Sequence, residues 1–265
     1  MTQLAVQQPP AALANIGRPT RLHVLNTPVD CVDMHGALEF VDAYVHGAQE
    51  PGTILAVNPE KVYALRGNPF LRDFFDRATL LIPDGIGIVK ALNLLHGVKA
   101  KRVPGADLMQ RICAAAPKRN YRLFIYGASE EVNRGAVEIL RRRYPGIQIV
   151  GRANGYVKPE QMDNLIEAIN ASHADILFVA LGSPRQEQWM HQYLSRLDVK
   201  LCQGIGGTLD TITGAVERAP IGFQRLGLEW FYRLLRQPAR IGRQMNLLRF
   251  VREVAVIKFH RMFAR

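Results

Sequence analysis

Between Gly52 and Cys202 the chain repeats one pattern. A short, almost wholly apolar run is followed by a few turn-forming or polar residues, then by a longer stretch with apolar positions three and four apart. The runs TILAVN (53–58), TLLIP (79–83), RLFIYG (122–127), IQIVG (147–151), DILFVALG (175–182) and VKLCQGIG (199–206) predict buried strands, because a strand covered on both faces has no polar side to show. The stretches between them predict helices, as where Val132, Ala136, Ile139 and Leu140 precede Tyr144-Pro145-Gly146. Strands alternating with helices give an α/β fold with a mostly parallel sheet flanked by helices. Such sheets bind ligands at the carboxyl ends of their strands, so the polar residues after each apolar run are the ones to inspect.

Composition is that of a globular chain, 48% hydrophobic and 22% charged over 265 residues, enough for one large domain and its core. No apolar run approaches the roughly 18 residues that a bilayer span requires. Residues 1–20 carry neither the cationic lead nor the apolar core of a secretory leader, and read as a flexible Pro/Ala-rich lead-in. Cys31, Cys113 and Cys202 are widely spaced and odd in number, which suggests neither a disulfide framework nor a CxxC metal site. A cytoplasmic location is therefore expected.

Charge changes the picture more. Residues 1–217 hold 23 Lys/Arg against 21 Asp/Glu, whereas residues 218–265 hold 11 against 2. The expected division is a lead-in (1–20), a catalytic domain (21–217) and a basic, amphipathic, helical C-terminal appendage (218–265), with the boundary near Arg218–Pro220. A localised cationic block points to phosphate-bearing partners: nucleic acid, an anionic membrane surface or a diphosphate. A merely solvated helix face fits less well, because Trp230, Phe231, Tyr232, Leu234 and Leu235 are interleaved with the arginines.

At the strand ends several groups bear chemistry. Asn58, before Pro59, is either a helix cap or a ligand for a hydroxyl or phosphate. Asp84 follows the apolar LLIP and projects from the sheet edge; it is a good turn and cap residue, and also stands where a general base belongs. Arg102 offers bidentate phosphate binding or is a surface cation. In Gly182-Ser183-Pro184-Arg185-Gln186-Glu187, the Glu complements a helix N-terminus, and the adjacent Gln186 and Glu187 also suit the reading of sugar hydroxyls. Gly204, Gly206 and Gly207 permit close backbone approach to a diphosphate, a weak motif when taken alone. No DxD pair, HExxH, GxSxG, Walker A or GxGxxG sequence occurs, and no histidine cluster has ligand spacing, so no metal and no cofactor is expected.

Taken in order, the segments NPEK, PDGIG, KRVPGADL, YPGIQIVG, ALGSPRQE, GIGGTLD and GLEWFYRL…QPAR resemble the bacterial WecG/TagA/CpsF glycosyltransferases, over about Thr53 to Arg249. The resemblance implies a Rossmann-like core, a nucleotide-activated sugar donor, a polyprenyl-diphosphate-linked acceptor, inversion at the anomeric carbon without an obligatory metal, and a membrane-engaging appendage. Residue by residue it makes Asp84 the catalytic base, and it places Asn58, Arg102, Gln186 and Glu187 around the pocket. Gly204, Gly206 and Gly207 then lie near the nucleotide, with Asp210 close by. Some relatives carry Thr two residues before the Asn, where this chain has Ala56.

On this reading Asp84 deprotonates an acceptor hydroxyl that displaces UDP, and arginines and backbone N–H groups stabilise the departing charge. Arg218, Arg225, Arg233, Arg236, Arg240 and Arg243, with Trp230, are the candidates for diphosphate or membrane contact. Pro238 is expected to split the segment into two helices. The apolar residues of the tail would enter the interfacial layer on the inner face of the cell membrane, and they suit association with a second copy equally. Two other classes are a nucleic-acid-binding module, which leaves Asp84, Gln186 and Glu187 without a role, and a nucleotide-cofactor oxidoreductase, which lacks its fingerprint.

Overall fold

The computed structural model describes residues 18–48, 50–220, 222–223, 229, 231–232 and 241–263. All six apolar runs form strands of one parallel sheet: β3 (Gly52–Val57), β4 (Leu80–Pro83), β5 (Arg122–Gly127), β6 (Gln148–Ala153), β7 (Ile176–Ala180) and β8 (Leu201–Gly204), in the order β4-β3-β8-β7-β5-β6. Helices α2 (Pro59–Arg66), α3 (Pro69–Arg77), α4 (Ile86–His96), α7 (Met162–Ala171) and α8 (Arg185–Tyr193) pack on one face, against side chains such as Leu55, Tyr126 and Val179. Helices α1 (Met34–Gly47), α5 (Gly105–Arg119), α6 (Glu130–Arg143) and α9 (Thr208–Thr213) pack on the other, against Ile54, Ile125 and Phe178. Burial on both faces is why the strands read as continuous apolar runs rather than alternating ones.

This winding opens a crevice. The chain leaves β3 and β7 toward α2 and α8 on one face, but leaves β8, which lies between them, toward α9 on the opposite face. Loops that part in this way clear the carboxyl end of β8, the kind of place where open α/β sheets take ligands.

Sequence patterning missed a hairpin, β1 (Arg21–Val24) and β2 (Thr27–Asp30), because its strands are four residues long and its turn is Leu25-Asn26 rather than a glycine pair. Both turn residues have positive φ, 49° and 65°, which gives the strands the twist that closes a two-residue loop. The hairpin closes the sheet edge at β4. Asp30, wholly buried, accepts from the Arg21 guanidinium at 2.7 and 2.9 Å and from the Leu81 N–H at 2.7 Å. That last bond satisfies an edge-strand donor that would otherwise be open to pairing with another chain.

The last helix, α10 (Ile241–Phe263), lies against α2 and α4. Phe250 and Val254 are buried in that contact, while Glu253 accepts from Tyr63 at 3.1 Å and from Arg66 at 2.5 Å, and Arg261 donates to the Leu95 carbonyl at the end of α4 at 2.9 Å. Its outer side leaves Leu248, Val251, Phe259 and Phe263 exposed. Phe250 is only 2% exposed, so Phe250→Ala is expected to cost about 3–4 kcal/mol through lost burial and the cavity left behind. Urea unfolding of the variant beside the wild type measures it, and a loss below about 1 kcal/mol would mean that α10 is not part of the cooperative unit.

Candidate active site

Asp84 and Asn58 are brought together by the parallel pairing of β3 with β4. The N–H groups of Asp84 and Gly85 both donate to the Val57 carbonyl, at 3.1 and 3.3 Å, so the chain turning off β4 is pinned to the end of β3. Gly85 is required there: a Cβ would stand 2.9 Å from Pro59 Cδ and 3.1 Å from Asn58 Cβ. Asn58 caps α2, its Oδ1 accepting from the Lys61 N–H at 2.9 Å, which is the capping alternative of the two readings open for it.

Arg102 joins this pair because the Val103 N–H donates to the Pro83 carbonyl at 2.9 Å, laying residues 102–103 along the end of β4. Arg102 Nε donates to the Asp84 carbonyl at 2.5 Å, and its Nη2 stands 3.7 Å from Asp84 Oδ1. The same Nη2 donates to Glu229, whose other oxygen accepts from Arg218 Nε at 3.3 Å, and Arg218 Nη1 in turn is 2.6 Å from Asp107 Oδ1. Five groups thus alternate in sign: Asp84, Arg102, Glu229, Arg218, Asp107. The chain crosses from the strand ends to the cationic C-terminal block, and it links Arg218 to the predicted base through Glu229 and Arg102.

Burial alone would raise the pKa of Glu229, but the Arg102 and Arg218 guanidinium groups outweigh it and hold the carboxyl below its ordinary value of 4.5. For Arg218, burial works against the charge, and Asp107 and Glu229 overcome it to raise its pKa. A depressed carboxyl contributes stability above its unfolded pKa and loses it as the pH falls through the folded one. Glu229→Gln is therefore expected to destabilise by roughly 3 kcal/mol at pH 7, as one arm of a largely buried pair is removed. The gap from wild type should close as the pH drops below 4.5. Melting curves of both proteins across that range test this, and a gap that does not narrow as the pH falls would assign the loss to packing.

The second group surrounds the crevice over β8. Gln186 and Glu187, expected to read sugar hydroxyls, are 7% and 1% exposed and turned toward protein partners. Gln186 Oε1 accepts from the Gly206 N–H at 2.9 Å, and its Nε2 donates to Glu187 Oε1 at 3.3 Å. Gly204 has no room for a side chain, since a Cβ would meet Gln186 Nε2 at 2.6 Å; Gly206 has φ +52°, in the left-handed region. Asp210, in the first turn of α9, has Oδ2 3.4 Å from where a Gly207 Cβ would stand, so its carboxylate adjoins the glycine loop. Asp84, Asn58 and Arg102 thus form one cluster on β3 and β4, while Gln186, Glu187, Asp210 and the glycines form another on β7 and β8.

The sequence from residue 22 to residue 263 matches the glycosyl transferase WecG/TagA/CpsF family. The chain belongs to that family. Membership covers both strand-end clusters and α10, and makes this glycosyltransferase an enzyme of cell-envelope polysaccharide synthesis. Among the described residues no helix of the glycosyltransferase is long and apolar enough to cross a membrane.

Four participants escaped sequence reasoning: Asp107 and Glu229 of the charge chain, and Lys61 and Ser183, the buried Lys61 ammonium pairing with Glu187 at 2.5 Å and donating to Ser183. All four lie inside the quoted segments, yet nothing local shows that the lysine is buried. Glu229 did carry a signal, as one of only two carboxylates among residues 218–265. Of the tail residues expected to meet diphosphate or membrane, Arg225, Trp230, Arg233, Arg236 and Arg240 lie outside the described residues, as do the side chain of Arg243 and the break expected at Pro238.

Proposed function

We propose that the protein is an inverting, metal-independent hexosyltransferase that moves glucose, N-acetylmannosamine or its uronate from a UDP-sugar to a polyprenyl-diphosphate-linked saccharide. The observation that carries this reading is the placement of Asp84, pinned at the end of β4 with Arg102 beside it. The Asp84 carboxylate takes the proton of the acceptor hydroxyl as that oxygen bonds to the anomeric carbon. The bond from that carbon to the diphosphate breaks on the opposite side, and its electron pair leaves with UDP. The glycine loop 204–207 supplies backbone approach to the diphosphate, with Asn58, Gln186, Glu187 and Asp210 around the sugar and nucleotide.

Residues 21–217 would form the catalytic domain and residues 218–265 an appendage that serves it. Arg218 reaches Asp107 and Glu229, and Glu229 holds the Arg102 that stands next to Asp84, which supports a role for the appendage at the reaction centre. Arg225, Arg233, Arg236, Arg240 and Arg243, with Trp230, would meet lipid phosphates or the acceptor diphosphate at the inner face of the membrane. The deciding experiment gives the purified enzyme a synthetic polyprenyl-diphosphate saccharide and each of the three UDP-sugars separately. Product is followed by mass and its anomeric configuration by NMR. One donor is expected to be consumed with inversion; retention, or no turnover with any donor by protein that binds UDP, would overturn the reading.

A further inference from the structure

Lys61 is 8% exposed, uncommon for a side chain that ordinarily keeps its ammonium in water. From the first turn of α2 it reaches across to α8. Nζ stands 2.5 Å from Glu187 Oε1, donates to Ser183 Oγ, and lies 5.5 Å from the centroid of the Phe75 ring. Glu187 passes the link to Gln186, and Gln186 to the Gly206 N–H. A single relay therefore crosses the crevice above β8, from the helix after β3 to the helix after β7 and then to the glycine loop.

Two features point beyond structural support. First, a buried ion pair stabilises no more than two well-packed apolar side chains would, so stability alone gives no reason for a lysine here. Second, one member of the relay is exposed: Ser183, at the head of the crevice. Its oxygen accepts from the ammonium, so its own proton points away from Lys61. A hydroxyl polarised by a cation behind it is a strong donor to an anionic oxygen.

We propose that Lys61 is a positioning residue for the nucleotide donor: it presents the Ser183 hydroxyl to a diphosphate oxygen and, through Glu187 and Gln186, sets the glycine loop that receives the same diphosphate. This rests on the reading of the crevice as the donor site. It makes Ser183 a specificity-determining contact for the diphosphate rather than for the base or the sugar.

Calorimetric titration of the full chain with UDP, and separately with uridine, tests the relay without recourse to turnover. Ser183→Ala removes one acceptor of the Lys61 ammonium but leaves its pairing with Glu187 in place. It is expected to lower the melting temperature by no more than a few degrees, weaken UDP about tenfold and leave uridine unaffected. Lys61→Met should weaken UDP to a similar degree, Lys61→Arg should recover part of the loss, and the double variant Lys61→Met/Ser183→Ala should bind no worse than Lys61→Met alone. Wild-type affinity for UDP in Ser183→Ala would overturn the proposal, and so would simple additivity in the double variant. If Lys61→Met does not fold, Ser183→Ala decides on its own. Wild-type protein that fails to bind UDP would overturn the donor assignment itself, a different outcome from variants that bind as wild type does.

Discussion

Asp84→Asn is expected to lower turnover about a thousandfold while leaving the fold and UDP binding intact. Backbone contacts help to hold residue 84, its N–H donating to Val57 and its carbonyl accepting from Arg102. Asparagine keeps both and is nearly isosteric, so the change removes the basic oxygen together with the carboxylate charge that stands 3.7 Å from Arg102 Nη2. A positioned general base contributes about 10²–10⁴ in rate, and a thousandfold loss corresponds to about 4 kcal/mol of barrier. The residual rate is what orientation of donor and acceptor supplies without a proton acceptor. Product formation by mass, with calorimetry for UDP and a melting curve on the same sample, separates chemistry from binding and folding. Turnover within threefold of wild type would remove Asp84 from the proton transfer.

The second large effect is on folding. Gly127, the last residue of β5, has φ +124°, and a Cβ there would stand 2.4 Å from the Ala180 carbonyl oxygen on the neighbouring strand β7. Neither atom can yield, since one is fixed by the sheet and the other is main chain within it. Gly127→Ala therefore combines a backbone conformation nearly closed to L-residues with a clash at the centre of the molecule. A loss on the order of 5 kcal/mol or more is expected, comparable to the whole stability of many domains, so the variant should fail to accumulate as folded protein. Gly67→Ala is the control. Gly67 ends α2 at φ −94° with nothing within 4 Å of a Cβ, and the change is expected to be neutral or to stabilise by up to about 1 kcal/mol. Denaturation midpoints of the two variants should diverge; similar midpoints would refute the steric argument.

The sheet was legible in the sequence because burial on both faces erases polar alternation, and each run then stands out against its flanks. The β1–β2 hairpin was not, since four residues per strand carry no period and its turn lacks glycine. The strand-end residues could be singled out because parallel topology delivers every strand's carboxyl end to one edge, wherever the strands fall in the order. What sequence could not give was pairing. Lys61 and Glu187 are 126 positions apart, and Arg102 and Glu229 are 127 apart. No local pattern distinguishes a lysine that snorkels to water from one that meets a carboxylate under a helix. For the same reason the sequence showed Gln186 and Glu187 as candidates for sugar hydroxyls but not their bonds to the Gly206 N–H and the Lys61 ammonium.

The docking of α10 also has a mechanical meaning. Its 23 residues make a rod about 35 Å long, fastened to α2 through Glu253 and to the far end of α4 through Arg261. A Cβ at Gly87, in the first turn of α4, would come within 3.6 Å of Phe250 and 3.7 Å of Leu247 on this rod. Gly87 is three residues from Asp84. α10 therefore braces the first turn of the helix that follows Asp84, and a ligand seated on its outer side would be felt there through Phe250 and Leu247.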